Sequence, residues 1–111
     1  IDNAHRHPKD TAMRPENCQT MPELRAAIDA LDRELVAKLA QRAGYIDRAI
    51  TLKTAQGLPA RIDDRVEEVV ANVRRHAQDL GYDAALAEQL WRVIIDWSIT
   101  REETVLGAKA D

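Results

Sequence analysis

Two cations interrupt the apolar stripe of a long predicted helix, and their type and spacing suit chemistry. Apolar side chains recur at positions 35, 39, 46 and 49, and Arg42 and Lys53 occupy the same line. A charge on a buried stripe is costly unless it is paired. Arg25 lies beside this stripe near the helix start, and Arg65 directly precedes the stripe of the next helix. The pattern therefore predicts a cluster of cations facing the interior.

A third predicted helix adds one hydroxyl and one carboxyl group. Ser98 and Glu102 are four residues apart, so they share a helix face. One interpretation is a structural network in which Glu102 or Asp residues neutralise Arg42 and Lys53, and long cationic side chains can also extend to solvent. The excess of cations over inward acids favours an anionic ligand instead, because guanidinium groups bind carboxylates bidentately. We therefore predict a site for a small dicarboxylate.

The longest element that positions these residues is the first helix. It begins at a capping box, in which Thr20 precedes Glu23 by three residues and Pro22 lies in the first turn. Its periodicity continues to Gly57 and Pro59. These limits predict roughly 30 to 35 residues of helix, or about 50 Å.

Two shorter helices follow. Asp63 or Asp64 is predicted to cap the second, Gly81 to end it, and Asp83 to cap the third. The residues predicted to face inward are Val66, Val69, Val70, Val73, Ala77 and Leu80 on the second helix, and Leu86, Leu90, Val93, Ile94, Trp97 and Val105 on the third. The sequence therefore predicts an all-α fold with three helices per chain.

The length of the first helix bears on the oligomeric state. A compact monomer of this size has a radius of gyration near ~13 Å. Two shorter helices cannot cover a stripe of about 50 Å. Unless the helix breaks near Gly44, we expect a second copy of the chain to cover it, which predicts an intertwined homodimer.

Composition excludes several classes of protein. A net charge of −3 argues against binding nucleic acid through a basic surface. No apolar run reaches the ~18 residues of a membrane span. Cys18 is the single cysteine, which excludes an internal disulfide and favours a reducing, cytoplasmic environment. We expect neither a metal nor a cofactor.

The sequence also predicts the domain boundaries. Residues 1–19 are polar and lack periodicity, which indicates a flexible N-terminal arm, with Met13 as a candidate natural start. His5 and His7 in this arm are expected to be solvated rather than metal-bound. Residues 20–106 form the helical domain, and residues 107–111 a frayed tail.

Three segments resemble a known family. LRAAIDALDRELVAKLAQRAGYIDRAITLK is similar to the long first helix of the all-helical (AroQ-type, type II) chorismate mutases, and IDDRVEEVV and WRVIIDWSITREE are similar to their second and third helices. The resemblance extends over residues 20 to 106. It implies an enzyme of aromatic amino-acid biosynthesis that rearranges chorismate to prephenate, an isomerase that needs no cofactor.

The resemblance implies a role for each predicted site residue. Arg25 resembles the arginine that reaches across the dimer interface to a substrate carboxylate, and Arg42 the arginine that binds the other carboxylate. Lys53 resembles the lysine that donates to the ether oxygen of the breaking bond. Arg65 resembles the arginine that helps close the site, and Ser98 a serine close to a substrate carboxylate.

Two positions depart from the mutase pattern. Val66 stands where the family often has a glutamate that binds the substrate hydroxyl, and Glu102 where it has a glutamine that donates to the ether oxygen. Glu102 can donate only when protonated. We therefore expect activity to fall as pH rises, and Glu102→Gln to flatten the pH profile.

Some residues resemble the related isochorismate pyruvate lyases. Arg65–Val66, the PENC segment and Trp97 resemble that group, whereas Ser98 resembles the mutases. A lyase that converts isochorismate to salicylate and pyruvate is one alternative function. A non-catalytic helical dimer is the other.

Overall fold

A computed structural model describes residues 14–107 of the chain. In chain order it contains a 3₁₀ turn, Pro15–Asn17, and the helices α1, Met21–Gln56, α2, Asp63–Leu80, and α3, Ala84–Leu106. No strand occurs within residues 14–107, so the predicted all-α fold with three helices is confirmed there. None of the helices in this range is long and apolar enough to cross a membrane.

α1 is one continuous helix of 36 residues and passes through Gly44 without a break. The predicted capping box is present. Thr20 Oγ1 accepts a hydrogen bond from the Glu23 amide at 3.2 Å, and Glu23 Oε1 accepts from the Thr20 amide at 3.2 Å. Gly57 follows the helix at a φ of 70°, a left-handed conformation that glycine adopts readily.

α2 begins differently from the prediction. Ile62 is its N-cap and makes no capping hydrogen bond through its side chain, so the prediction that Asp63 or Asp64 caps the helix is wrong. Both acids lie in the first turn, where the partial positive charge of the helix N-terminus favours them. The predicted end is confirmed, since Gly81 follows at a φ of 73° and its amide donates to Ala77 and Gln78.

α3 begins as predicted, with Asp83 Oδ1 accepting from the Leu86 amide at 3.0 Å. Its predicted inner face is wrong for the single chain, because Leu90, Val93 and Trp97 are 46%, 69% and 51% exposed. The buried residues of α3 are Ala87, Ile95, Ser98, Ile99 and Glu102. The helix has apolar residues on two faces, and the face with the smaller and β-branched side chains packs on α2.

α2 and α3 pack through two apolar clusters. The clusters consist of Ala60, Val66, Val70, Ile95 and Ile99, and of Val73, Ala77 and Ala87. Val69 and Trp91 contact both. α1 contributes no buried residue. Leu80, predicted to face inward, is 83% exposed.

The chain divides into two compact units between Gln41 and Arg42, so α1 belongs to both. The 3₁₀ turn lies within the predicted N-terminal arm. Residues 1–13 of that arm, which include His5 and His7, and residues 108–111 of the predicted tail lie outside the described residues.

Candidate active site

A cavity of about 300 Å³ lies in the unit that begins at Arg42. It is enclosed by the second half of α1, the loop before α2, and parts of α2 and α3. Its lining residues are Arg42, Tyr45, Ile46, Ala49, Lys53, Ala60, Ile62, Arg65, Val66, Val69, Ile95, Ser98, Ile99 and Glu102. Five of the six predicted site residues are therefore brought together here.

The helical register of α1 explains one wall. Arg42, Ile46, Ala49 and Lys53 are separated by three or four residues, so they project from one face. None of them is fully buried, because the cavity opens in front of them. The predicted line of two apolar and two cationic residues is thus confirmed as a continuous surface.

Lys53 is held by two acceptors. Its Nζ donates to Glu102 Oε1 at 2.6 Å and to the backbone carbonyl of Ala60 at 2.7 Å. The side chains of Lys53 and Glu102 are only 18% and 5% exposed, so this ion pair is largely shielded from water. An ammonium group has three N–H donors, and one remains for a further acceptor. Sequence reasoning missed the Ala60 carbonyl, because a backbone acceptor leaves no signature in residue types.

Arg42 and Ser98 form the second polar contact across the cavity. Ser98 Oγ donates its proton to the Ile94 carbonyl at 2.9 Å and accepts from Arg42 Nη1 at 3.5 Å. The hydroxyl has one proton, so in this arrangement it orients Arg42 as an acceptor. Burial lowers the pKa of Arg42, and the positive charge of Arg65 lowers it further. Both effects mean that a nearby anion would stabilise the guanidinium.

Arg65 is the most exposed of the cations at the cavity. Its Nη1 donates to Glu68 Oε1 at 2.8 Å, within one turn of α2, and both side chains are more than 60% exposed. Exposed ion pairs of this kind contribute little, typically below ~1 kcal/mol. Arg65 can therefore exchange Glu68 for another anion at small cost.

Arg25 lies in the other unit, on the first half of α1. Its side chain is exposed, and no hydrogen bond or ion pair joins it to another of residues 14–107. Among the described residues no group of three or more His, Cys, Asp or Glu side chains could hold a metal ion.

Val66 has two roles in the structure. It lines the cavity, and at 8% exposure it also belongs to the larger apolar cluster with Ile95 and Ile99. Tyr45, which sequence reasoning did not single out, also lines the cavity but is 78% exposed. Its position three residues after Arg42 on the same helix was the signal that could have found it.

The arrangement combines apolar walls with a positive interior. Arg42, Lys53 and Arg65 face one carboxylate, Glu102, across a space that suits a small molecule. Fixed cations and donors in such a setting stabilise negative charge that develops on oxygen. The cavity can thus bind a compact anion with two carboxylates.

A comparison with known families identifies the chain. The family model for chorismate mutase type II matches residues 24–103. The chain belongs to this family. The resemblance inferred from the sequence is therefore confirmed, and all six predicted site residues fall inside the matched region.

Two relatives in the chorismate mutase family have different names. The isochorismate pyruvate lyase of Pseudomonas aeruginosa is 33% identical over 89 residues, which cover 79% of this chain and 86% of that protein. The T-protein of Enterobacter agglomerans is 32% identical over 79 residues, 71% of this chain but only 21% of that protein. Family membership supports a chorismate mutase-type enzyme, and the relatives leave its exact reaction open.

Proposed function

We propose that the protein is a chorismate mutase that converts chorismate to prephenate. The observation that carries this proposal is the excess of cations around one shielded carboxylate in the cavity. In this Claisen rearrangement one C–O bond breaks and one C–C bond forms within a single molecule. The reaction needs no nucleophile and no redox partner. It is accelerated when the compact conformer is held and charge on the ether oxygen is stabilised.

Each cavity residue has a proposed role that follows from its contacts. Arg42 binds one substrate carboxylate, oriented by Ser98. Lys53 donates its remaining N–H to the ether oxygen, and the Ala60 carbonyl and Glu102 hold it in place. Glu102, when protonated, is a second donor to the same oxygen.

Arg65 completes the proposed cation set. It leaves Glu68 and closes over the substrate, because its present ion pair is exposed and weak. The three cations then surround a dianion from α1 and α2.

We further propose an intertwined homodimer in which Arg25 of one copy reaches the site of the other. An exposed apolar stripe on the first half of α1 supports the homodimer. Ile28, Leu31, Leu35 and Leu39 are 49%, 54%, 54% and 43% exposed. Contiguous apolar surface of this kind is typical of an interface between protein chains. Arg25 is adjacent to that stripe and has no partner among the described residues.

A second candidate function is isochorismate pyruvate lyase. Val66 favours it. With valine at this position, α2 offers the cavity no carboxylate that could bind the hydroxyl of chorismate, as the mutase pattern would. The named relative from Pseudomonas aeruginosa favours it as well. Breaking the enolpyruvyl ether of isochorismate would use the same cations, so the cation cluster does not separate the two reactions.

Substrate assays with the purified protein test both candidates. Chorismate loss is followed by absorbance, with prephenate confirmed by acid conversion to phenylpyruvate, and isochorismate conversion by salicylate fluorescence. In the variant Arg42→Ala we expect kcat/KM to fall by about 100-fold or more, the range found when one charge-stabilising donor is removed.

Arg48→Ala is the matched control, since Arg48 is an exposed arginine of α1 that does not line the cavity. It should retain wild-type activity. Salicylate formation without prephenate would replace the first candidate by the second. Turnover of neither substrate between pH 5 and 8 would leave the non-catalytic helical dimer.

A further inference from the structure

Three polar contacts between side chains join the second half of α1 to α3. α1 has no buried side chain, and none of its residues forms or flanks the two apolar clusters. Between residues 42 and 107, the side-chain hydrogen bonds from α1 to α3 are Arg42–Ser98, Lys53–Glu102 and Asp47–Arg101. These charged groups therefore help to determine the position of this part of α1.

Only the third of these contacts lies outside the cavity. Arg42 and Lys53 belong to the cavity lining, so their contacts with α3 are part of the proposed site. Asp47 and Arg101 do not line the cavity, so a ligand there leaves their contact intact. Of these three contacts given by the described residues, this one therefore involves no group of the proposed site.

The geometry of the Asp47–Arg101 pair is favourable. Arg101 Nε donates to Asp47 Oδ1 at 2.6 Å, and Nη2 donates to Oδ2 at 3.1 Å. Two parallel bonds fix the relative orientation of the groups as well as their separation. The guanidinium also lies 5.5 Å from the ring centroid of Trp97, which restricts its side chain. Isolated surface ion pairs contribute little, but bidentate pairs with ordered side chains are the exception.

The pair joins the helix segments that contain the site. Asp47 is five residues after Arg42 and six before Lys53. Arg101 directly precedes Glu102. A shift of α1 relative to α3 at Asp47 would therefore displace both site cations at once.

We propose that Asp47 and Arg101 are positioning residues, which hold α1 against α3 so that Arg42 and Lys53 stay aligned with the reacting molecule. The inference rests on the proposed function, because it assigns the pair a role in that site. Neither residue touches the substrate. Displacements of about 1 Å in a catalytic group can reduce rates by up to about 100-fold.

The test uses three variants. Two are the single substitutions Asp47→Asn and Arg101→Gln. The third exchanges the two charges by combining Asp47→Arg and Arg101→Asp in one protein. Each single variant should lower kcat/KM about ten-fold, mainly through kcat, since the cations that bind the carboxylates remain. The exchanged pair should recover most of this loss. Recovery distinguishes the ion pair from any other property of the two side chains.

Glu67→Gln is the matched control. Glu67 forms an ion pair of 3.2 Å with Arg92, which joins α2 to α3, and the two side chains are 65% and 43% exposed. This variant removes a carboxylate of similar exposure without touching α1. Thermal unfolding should respond similarly in Glu67→Gln and Asp47→Asn, but kcat/KM should fall only in the latter.

Hydrogen exchange of the amides in residues 42–56 gives a readout that does not depend on turnover. Asp47→Asn should accelerate exchange there, and Glu67→Gln should not. If the wild type has neither activity but Asp47→Asn still accelerates exchange, the proposed function is refuted while the positioning of α1 is supported. Unchanged exchange and wild-type kcat/KM in Asp47→Asn, or no recovery in the exchanged pair, would overturn the inference.

Discussion

Replacing Glu102 by glutamine separates the charge of this side chain from its ability to accept a hydrogen bond. In the structure Glu102 Oε1 accepts from Lys53 Nζ at 2.6 Å, and the carboxylate cannot donate. The amide oxygen of glutamine can keep that contact with Lys53. Its amide nitrogen can donate to the substrate ether oxygen at any pH.

The expected magnitudes follow from these two changes. Hydrogen bonds to charged groups contribute roughly 1.5–3 kcal/mol and neutral ones roughly 0.5–1.5, so the Lys53 contact should weaken by about 1 kcal/mol. Such a loss lowers the melting temperature by about 5 °C in a domain of this size. A new preorganised donor at the oxyanion is worth up to about 100-fold in rate. Against the weaker Lys53 contact, we expect a net gain of about ten-fold in kcat/KM at pH 8.

The assay is kcat/KM for chorismate from pH 5 to 8 in the wild type, Glu102→Gln and Glu103→Gln. A ratio of Glu102→Gln to wild type that rises with pH would support a proton on Glu102 in the mechanism, because an amide can donate at any pH and a carboxylate cannot. Glu103 lies on the same helix but not in the cavity lining, so its variant controls for the change in net charge. Parallel profiles for Glu102→Gln and wild type would refute a proton on Glu102 in the mechanism. If Glu102→Gln instead loses activity equally at every pH, the negative charge that Glu102 presents to Lys53 is essential.

Two further predictions address the dimer and the cation on α2. Mixing Arg25→Ala with Arg42→Ala should restore about a quarter of wild-type activity after subunit exchange, because half the dimers are mixed and each has one intact site if Arg25 acts across the interface. No recovery would place Arg25 in its own subunit's site or outside catalysis. Glu68→Gln should lower KM for chorismate about two-fold, since it frees Arg65 from an exposed ion pair. Glu67→Gln makes the same change in net charge, and an equal KM in both variants would contradict direct competition.

The wall of the cavity on α1 could be predicted because one periodicity determines it. A helical repeat near 3.6 residues places Arg42 and Lys53 on the same face as Ile46 and Ala49, whatever the helix packs against. The capping box and the glycine after α2 were predictable for a similar reason, since each depends on local backbone chemistry.

The packing face of α3 could not be predicted in the same way. Apolar residues occur around most of this helix, so hydrophobicity alone does not select the side that meets α2. The two polar residues Ser98 and Glu102 were better guides to the packing face. Both are only 4% exposed and lie on the side of α3 that is buried in the structure. Asp47 and Arg101 are 54 residues apart and both exposed, and no sequence pattern joins such a pair.

The two departures from the mutase pattern compensate each other in charge. The mutase pattern that the sequence resembles often has an acid on the second helix and has a neutral amide on the third, whereas this chain has Val66 and Glu102. In this chain three cations face one carboxylate in the cavity, which leaves two net positive charges for a ligand with two carboxylates. The acid of this chain lies beside Lys53, with 2.6 Å between Glu102 Oε1 and Lys53 Nζ. Affinity for a dianion should thus be preserved, and the difference should be confined to hydroxyl recognition and to the donor at the ether oxygen.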